Sequence, residues 1–429
     1  MKLPPKNKLD PDQLRFLELR KTASRINCTG FAGTGKSVCL VYMIQEIYVE
    51  NPDAKCCIVS FTHALLEVFK EGVEDLEIDK LIELNHQVNR NWEVLPFVAP
   101  DNICNAEEGQ IDLVTKYEFK KNQNSSNRNH YDFIFIDEVQ DVCPTDLHAT
   151  KKSFASKIML AGDENQSIYD TDPQKDYSTG EYEPTLSPGD IQSILNPVDH
   201  PLTYLHRLTP PIIDCVEYVM PKLRPVINAL NLQRTDKVDV DIIRAEDEID
   251  EVLRVFEDAS RAANQKNELT AILFPLHGLL ARFCQYICED KNIPWNNQVE
   301  DLFSDRKYKE INAYFEEHGL PLEYVGNSHG SFTEAKKSSK IILMIYKSSK
   351  GQDFKNVFIP MLSQHNWGVR GMSYQFPRPF MVAMTRSNLK LTMSYSGWPL
   401  EIISGIEDLE DCFYLNLEEE DDGDDLILY

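Results

Sequence analysis

Alternating apolar and polar segments divide the first half of the chain into predicted strands and helices. Apolar runs predict strands at residues 25–29, 54–61, 132–138 and 157–164, and the last three read as buried on both faces, as parallel sheets require. Helical spacing of apolar residues predicts a helix at 38–50. An earlier helix is predicted over 9–25, with Asp10 as its cap and Pro11 in its first turn.

The second half continues the same pattern. Apolar runs at 268–274, 340–346, 356–362 and 389–395 predict four further strands, with amphipathic helices between them. Strands and helices therefore alternate throughout, which predicts an α/β fold built on parallel sheets. The polar stretches at 70–130 and 170–200 read as insertions or loops, and the like-charge block EEEDDGDDL near the end predicts a disordered tail.

Composition is that of a soluble globular protein, with 42% hydrophobic and 26% charged residues among 429. The sequence has no apolar run long enough for a transmembrane helix and no apolar stretch of a signal peptide at its start. Its ten cysteines are scattered without a CxxC pair, so neither a zinc site nor a disulfide framework is indicated. We therefore expect a cytoplasmic protein without a membrane partner.

The formal net charge of −25 disfavours a general nucleic-acid-binding surface. Residues 401–429 hold twelve of the acids and no Lys or Arg, so the remainder still carries −13. Any nucleic-acid groove must therefore be a local feature, or a partner must supply positive charge.

A glycine-rich loop at residues 30–37, GFAGTGKS, fits the phosphate-loop pattern GxxxxGK[ST]. It follows a predicted strand and opens a predicted helix, where backbone N–H groups can wrap phosphates. Lys36 would reach the β- and γ-phosphates, and Ser37 would bind Mg²⁺. The alternative is a chance glycine-rich turn. The predicted ATP-binding residues of the loop are Gly30, Ala32, Gly33, Thr34, Gly35, Lys36 and Ser37.

A second candidate site is the strand FIFI, which ends in Asp137 and Glu138. The carboxyl ends of parallel strands are where α/β sites form. Asp137 suits a Mg²⁺ contact through water, and Glu138 suits a base that orients or deprotonates the attacking water. The alternative for this pair is a solvated acidic turn.

Ordered motifs then give the chain a resemblance to the UvrD/Rep/PcrA group of superfamily 1 helicases, from about residue 9 to 397. DEVQD at 137–141 resembles the DExQD box of that group, and GDENQSIY at 162–169 is similar to its GDxxQSIY. The other matching segments are LDPDQ at 9–13, SFTHA at 60–64, LHRLT at 205–209, KGQDF at 350–354 and VAMTR at 382–386.

The resemblance implies two RecA-like parallel-sheet domains with ATP bound between them. The first would span 1–200 with a small insertion at about 70–130, the second 201–400 with a reduced insertion at about 296–339, and an acidic tail would fill 401–429. Gln13 would read adenine, and His206 stands where the family has an adenine-stacking Tyr. Gln166 would sense the γ-phosphate, Arg207 and Arg386 would act as arginine fingers, and Gly351 and Asp353 would meet the nucleotide.

Nucleic-acid contacts follow from weaker parts of the resemblance. Phe61, Thr62 and His63 lie in the single-strand-contacting motif SFTHA, and His86 is a poor match to a TFHS motif. Lys347 could touch a backbone phosphate. The family's base-stacking Trp-Arg-Gly segment is absent after Tyr169, where the chain reads DTDP. Tyr169, Phe61 and Trp92 are possible substitutes, or are simply packed aromatic residues.

Two functions remain open. The first is an ATP-dependent translocase or helicase on single-stranded DNA or RNA, moving 3′ to 5′ as the UvrD-like subgroup does. The second is a nucleic-acid-gated ATPase that switches a partner protein, such as a nuclease in a defence or repair complex. The complete set of ATP motifs supports the first, whereas the missing Trp-Arg-Gly, the trimmed insertions and the net charge support the second. A P-loop kinase or GTPase is disfavoured by the glutamine-containing motifs and the two late arginines.

Overall fold

The computed structural model describes the chain except residues 1–2, 52–53, 61–68, 70, 73–74, 77–110, 116–130, 143, 154, 169–173, 176–181, 184, 265–267, 327–328, 367–376 and 418–429. The chain divides into two compact units. Unit 1 contains Met1–His206 and Ala229–Gln233, and unit 2 contains Arg207–Asn228 and Arg234–Tyr429. The division falls after His206 rather than after residue 200, and a short later segment returns to unit 1.

Unit 1 is built on a parallel sheet in the order β3-β2-β4-β5-β1-β8. Its strands are β1 Arg25–Thr29, β2 Cys56–Ser60, β3 Ile111–Thr115, β4 Tyr131–Ile136, β5 Ala155–Gly162 and β8 Val198–Pro201. Two small pairs of strands complete it: antiparallel β6 Gln174–Lys175 with β7 Tyr182–Glu183, and parallel β9 Tyr204–Leu205 with β10 Asn231–Leu232. The four strands predicted for this half are confirmed, whereas the short strands β3 and β6 to β10 were not predicted. Of these, β6 and β7 lie in the stretch 170–200 that was predicted as an insertion or loop.

The described helices of unit 1 cover both faces of the sheet. They are α1 Pro11–Leu19, α2 Lys36–Glu50, α3 Pro144–Ser153 and α4 Pro188–Leu195. On one face α1 and α2 bury Phe16, Leu40 and Ile44 in a core that includes β1 and β2. On the other face, Leu147 of α3 and Ile191 of α4 join the apolar side chains of β4 and β5. The sheet is therefore buried on both sides, which explains its near-continuous apolar strands.

The start of α1 follows the prediction closely. The Asp10 carboxylate accepts the Gln13 N–H at 2.9 Å, the Gln13 side-chain oxygen accepts the Asp10 N–H at 3.1 Å, and Pro11 occupies the first turn. This reciprocal capping box satisfies two backbone donors that a helix start leaves unpaired. The helix ends at Leu19, earlier than the predicted residue 25.

Unit 2 holds a seven-stranded sheet in the order β13-β14-β12-β15-β16-β11-β17, again with every pair parallel. The strands are β11 Val240–Ala245, β12 Thr270–Phe274, β13 Leu322–Tyr324, β14 Ile341–Ile345, β15 Phe354–Ile359, β16 Ser387–Ser396 and β17 Cys412–Asn416. The helices are α5 Pro210–Val219, α6 Arg224–Asn228, α7 Glu248–Asn264, α8 His277–Asp290, α9 Asn297–Ser304, α10 Tyr308–Glu317, α11 Phe332–Lys337 and α12 Pro377–Met384. Two parallel-sheet α/β units are thus confirmed.

The C-terminal segment differs from the expected acidic tail. Residues 412–416 form β17, which pairs with Val240–Arg244 of β11 at the edge of the second sheet. The strand CFYLN is free of acids, which lie on either side of it, so its composition is compatible with pairing. As an edge strand it leaves Phe413 54% exposed. The structured part of unit 2 therefore continues to at least Asn416.

The expected insertions differ in how far the structure describes them. The range 296–339 holds α9, α10, β13 and α11, of which β13 joins the second sheet. Most of the range 70–130 lies outside the described residues. Among the helices that the structure describes, none is long and apolar enough to cross a membrane.

A buried carboxyl group lies inside unit 2. Glu251 of α7 is fully buried, and its Oε1 accepts the Met361 N–H at 2.6 Å and the Ser394 hydroxyl at 2.7 Å. Burial raises the pKa of Glu251 to about 7, although these two hydrogen bonds favour the charged form. The folded protein therefore binds a proton at Glu251 more tightly than the unfolded chain does.

This pKa predicts a pH-dependent stability. The contribution of a raised folded-state pKa is fully present below the unfolded value of 4.5 and is lost as pH rises through about 7. We expect the wild type to lose up to about 3 kcal/mol of unfolding free energy between pH 4.5 and pH 8, and we expect Glu251→Gln, which keeps an acceptor oxygen, to remove this loss. Urea unfolding at several pH values measures it, with exposed Glu316→Gln as the control. Parallel curves for wild type and Glu251→Gln would contradict the prediction.

Candidate functional site

The glycine-rich loop joins β1 to α2 in unit 1. Gly33 and Gly35 have positive φ angles of 84° and 89°, and Gly35 is the N-cap of α2. The Lys36 amine turns back over the loop and donates to the carbonyls of Gly30 at 2.8 Å and Phe31 at 3.3 Å. The loop therefore has the geometry of a strand-to-helix turn whose lysine lies against its own backbone.

Gln13 and His206, which the resemblance predicts as contacts for adenine, both touch this loop. The Gln13 amide nitrogen donates to the Thr34 carbonyl at 3.1 Å, and the His206 backbone N–H donates to the Gly33 carbonyl at 3.1 Å. The His206 ring nitrogen Nε2 lies 2.7 Å from Asp10 Oδ2. Because Asp10 and Gln13 form the capping box of α1, the helix start, His206 and the loop make one hydrogen-bonded group.

Asp10 has a part in this group that was not predicted from the sequence. It was predicted only as a helix cap, but its second carboxylate oxygen also holds the His206 ring. The pattern Asp-x-x-Gln at 10–13 could have indicated the capping box. The contact with His206, far along the chain, has no local signal.

Ser37 and Asp137 meet at the carboxyl edge of the first sheet. The Ser37 hydroxyl donates to Asp137 Oδ2 at 3.2 Å, and Asp137 is only 2% exposed. Burial, and then the negative charge of Glu138, raise the pKa of Asp137 to about 7. A hydroxyl and a carboxylate oxygen at this spacing are hard-oxygen ligands of the kind Mg²⁺ prefers, so the two residues fit the predicted metal.

Glu138 is held in an unusual backbone conformation, with φ at +52°. Its Oε2 accepts a hydrogen bond from the Gln140 side chain at 2.6 Å. Gln140 in turn accepts the Asp163 N–H at 3.1 Å, and Asp163 accepts the Gln166 amide at 2.8 Å. The predicted base and the predicted γ-phosphate sensor are therefore connected through two residues.

Gln140 and Asp163 were part of the recognised motifs but had no predicted role. Their place in the sequence, two residues after Glu138 and three before Gln166, was the available signal. A Cβ at Gly162 would lie 2.6 Å from Gln140 Oε1, so a glycine at the end of β5 allows this connection.

Three residues that are predicted to contact the nucleotide, Arg207, Asp353 and Arg386, lie close together in unit 2. The buried Arg386 guanidinium donates to the carbonyls of Val382 at 2.8 Å and Gln352 at 3.3 Å, and to the Thr385 hydroxyl at 3.0 Å. Arg207 donates to the Thr385 carbonyl at 3.2 Å, and its Nε lies 3.5 Å from Asp353 Oδ1.

Two other predicted residues lie on the segment before Asp353. Gly351 takes a φ of +75° there, as a turn residue. Lys347 follows the end of β14 and is half-buried. The remaining candidates for nucleic-acid contact lie outside the described residues: Phe61, Thr62, His63, His86, Trp92 and Tyr169.

Comparison with known proteins gives one similarity within the first unit. Residues 16–172 match the family model of the AAA domain, a range that includes the glycine loop, the acidic strand end and Gln166. No match was found among curated proteins. Among solved structures, S. cerevisiae Dbp5 bound to RNA and ADP BeF3 is similar over 97% of this chain and 96% of that chain, with 12% identity and a TM-score of 0.48. The range that matches the AAA-domain model lies entirely within unit 1.

The loop geometry predicts the effect of a single added methyl group. A Cβ at Gly35 would lie 2.4 Å from the Gln13 side-chain nitrogen, at a φ that L-residues rarely adopt. We expect Gly35→Ala to lower the free energy of unfolding by about 1–2 kcal/mol and to weaken ATP binding at least about tenfold.

The matched control is Gly278→Ala in α8, where an added Cβ meets nothing within 4 Å. That change should be neutral or stabilise by up to about 1 kcal/mol, because alanine favours helix. Urea unfolding and titration with a fluorescent ATP analogue provide the two measurements. Equal effects of the two substitutions would contradict the proposed strain at Gly35.

Proposed function

We propose that the chain hydrolyses ATP to ADP and phosphate at the glycine loop of unit 1. The observation that carries this proposal is the Ser37–Asp137 contact of 3.2 Å, with Lys36 and Glu138 as chain neighbours. Together these four residues supply a phosphate-binding amine, two metal-binding groups and a base. The AAA-domain match over residues 16–172 supports the same activity.

Each side chain has a role that its contacts make possible. Lys36 would exchange its two loop carbonyls for the β- and γ-phosphates of ATP. Ser37 and Asp137 would hold Mg²⁺, which neutralises phosphate charge when bound. Glu138, fixed by Gln140, would orient the attacking water and accept its proton, while Gln166 would contact the γ-phosphate.

The arginines of unit 2 are proposed to complete the reaction. Arg207 and Arg386 would place positive charge against the transferred phosphoryl group, where negative charge develops. Gly351, Asp353 and His206 would contribute nucleotide contacts. These roles come from the ordered motifs that resemble the UvrD-like helicases.

We further propose that hydrolysis is coupled to single-stranded DNA or RNA, in a cytoplasmic translocase or helicase with 3′–5′ movement. The set of motifs in family order supports this reading. Contacts to the strand are assigned to Phe61, Thr62, His63, His86, Tyr169 and Lys347. The acidic net charge of −25 requires these contacts to be local.

A second candidate is an ATPase switch that activates a partner, such as a nuclease, with little unwinding. The small size of the 296–339 region favours it, because α9 has 8 residues and α10 has 10. Such short elements leave little surface for strand separation. The absent Trp-Arg-Gly segment points the same way, since base stacking is the main sequence-tolerant contact with single strands.

The hydrolysis proposal predicts a separation of turnover from binding. Glu138→Gln should lower kcat at least about a thousandfold while ATP affinity changes less than about threefold, because the amide cannot accept the proton. A phosphate-release assay and ATP titration measure the two quantities, with exposed Glu316→Gln as control. Unchanged turnover in Glu138→Gln would remove the catalytic assignment.

The two candidate functions differ in their response to nucleic acid. A motor predicts that single-stranded DNA or RNA stimulates hydrolysis, that the stimulation declines with salt, and that a duplex with a 3′ tail is unwound. The partner-dependent switch predicts no strand separation by the isolated protein. Stimulation without unwinding, over a range of salt concentrations, would favour the switch.

A further inference from the structure

Arg234 lies outside all the motifs that carry the resemblance, yet it makes hydrogen bonds from each guanidinium nitrogen. Its Nε donates to Asp236 Oδ1 at 2.9 Å, and its Nη2 donates to Asp236 Oδ2. Its Nη1 donates to two backbone carbonyls, that of Arg207 at 2.9 Å and that of Asn388. Asp236 therefore fixes the guanidinium plane while the opposite side binds main chain.

These bonds belong to a closed ring of four residues, all in unit 2. The Asn388 side-chain amide donates to Asp353 Oδ1 at 3.0 Å, and the same oxygen lies 3.5 Å from Arg207 Nε. Arg234 closes the ring by binding the carbonyls of Arg207 and Asn388. We call Arg207, Arg234, Asp353 and Asn388 the arginine ring.

Strand register explains why the ring can form. Phe354 at the start of β15 pairs with Ser387 at the start of β16. Asp353 precedes this pair and Asn388 follows it, so both lie near the same end of the two strands, where the Asn388 side chain reaches back to the Asp353 carboxylate. Arg207 reaches them from the beginning of unit 2, and Arg234 from its second segment.

Three contacts hold Arg207: its ion pair with Asp353, the hydrogen bond from its Nη1 to the Thr385 carbonyl at 3.2 Å, and the bond that its own carbonyl accepts from Arg234. Its ion pair with Asp353 is long, and the Asp353 side chain is 49% exposed, so solvent screens the pair strongly. In the proposed function the Arg207 guanidinium exchanges this carboxylate for a phosphate, and its Nη1 also leaves the Thr385 carbonyl or keeps that bond as a hinge. The bond from Arg234 goes to the Arg207 backbone carbonyl and need not break when the side chain changes partner.

We propose that Arg234 is a positioning residue for Arg207. It fixes the main chain from which the Arg207 side chain projects, while the weak pair with Asp353 leaves the guanidinium able to change partner. The inference rests on the proposed function, in which Arg207 contacts the transferred phosphoryl group. Catalysis by such a group is sensitive to small displacements, because its charge must meet developing charge at a fixed place.

The competing explanation is a purely structural brace that ties residues 234–236 to the start of β16. A brace would change stability, and its loss would act on turnover independently of Arg207. A positioning residue acts only through Arg207, so its loss should have no further effect once the Arg207 side chain is gone. A double-mutant cycle separates these two cases.

The experiment measures kcat and KM for ATP in the full-length wild type, Arg207→Ala, Arg234→Gln and the double variant. We expect Arg207→Ala to lower kcat at least about a hundredfold and Arg234→Gln to lower it about tenfold with KM nearly unchanged. Adding Arg234→Gln to Arg207→Ala should change kcat less than about twofold. Arg261→Gln is the matched control, since Arg261 is an exposed arginine that also pairs with two carboxylates, Glu257 and Asp258.

Other results would overturn the proposal in distinguishable ways. If the Arg207→Ala and Arg234→Gln effects on kcat multiply, or if Arg234→Gln leaves kcat unchanged, Arg234 does not position Arg207, although the proposed function stands. If the wild type does not hydrolyse ATP, or if Arg207→Ala retains full kcat, the proposed function of that residue fails and the positioning role fails with it. Thermal unfolding checks each variant, and Arg234→Lys replaces Arg234→Gln in the cycle if the latter does not fold.

Discussion

Parallel pairing of β5 with both β1 and β4 is the constraint on which the first-unit site depends. Parallel strands all end at the same edge, so the order β4-β5-β1 brings Asp137, Asp163 and the glycine loop to that edge. The connections between the strands must return across the faces of the sheet, which places α2 directly after the loop. The chemical groups at this edge are then determined by the residues that directly follow each strand. The hydrogen bonds from Ser37 to Asp137 and from Gln166 to Asp163 fix the result.

The same edge concentrates charge that is costly to bury. Lys36, Asp137 and Glu138 are all buried, and two of them are neighbouring carboxyl groups. Repulsion and desolvation raise the energy of this pair, as the elevated pKa of Asp137 indicates. The Gln140 side chain offsets part of the cost of burying the Glu138 carboxylate by donating a short hydrogen bond to it. In the proposed function a bound cation would add positive charge at this pair of carboxyl groups.

The sequence predicted those features whose signal is local. The phosphate loop, the acidic strand end and the long apolar strands are contiguous patterns, and the α1 cap is set by residues three positions apart. Contacts between distant segments had no such signal, among them His206 with Asp10 and Arg234 with Arg207. β17 was not predicted because five residues of mixed composition lie between acidic segments, and only their pairing with β11 makes them a strand. β13, with three residues, was too short to distinguish by periodicity.

The two units are interleaved along the chain. Ala229–Gln233 returns to unit 1 after α5 and α6 of unit 2, and within it Asn231 and Leu232 pair with Tyr204 and Leu205. A single cut therefore cannot yield two complete halves. A fragment ending at His206 loses the partner of β9, and one beginning at Arg234 loses α5 together with Arg207. Dissecting the protein, or exchanging one unit for that of a relative, requires three junctions, after His206, Asn228 and Gln233, with residues 207–228 and 229–233 assigned to different pieces.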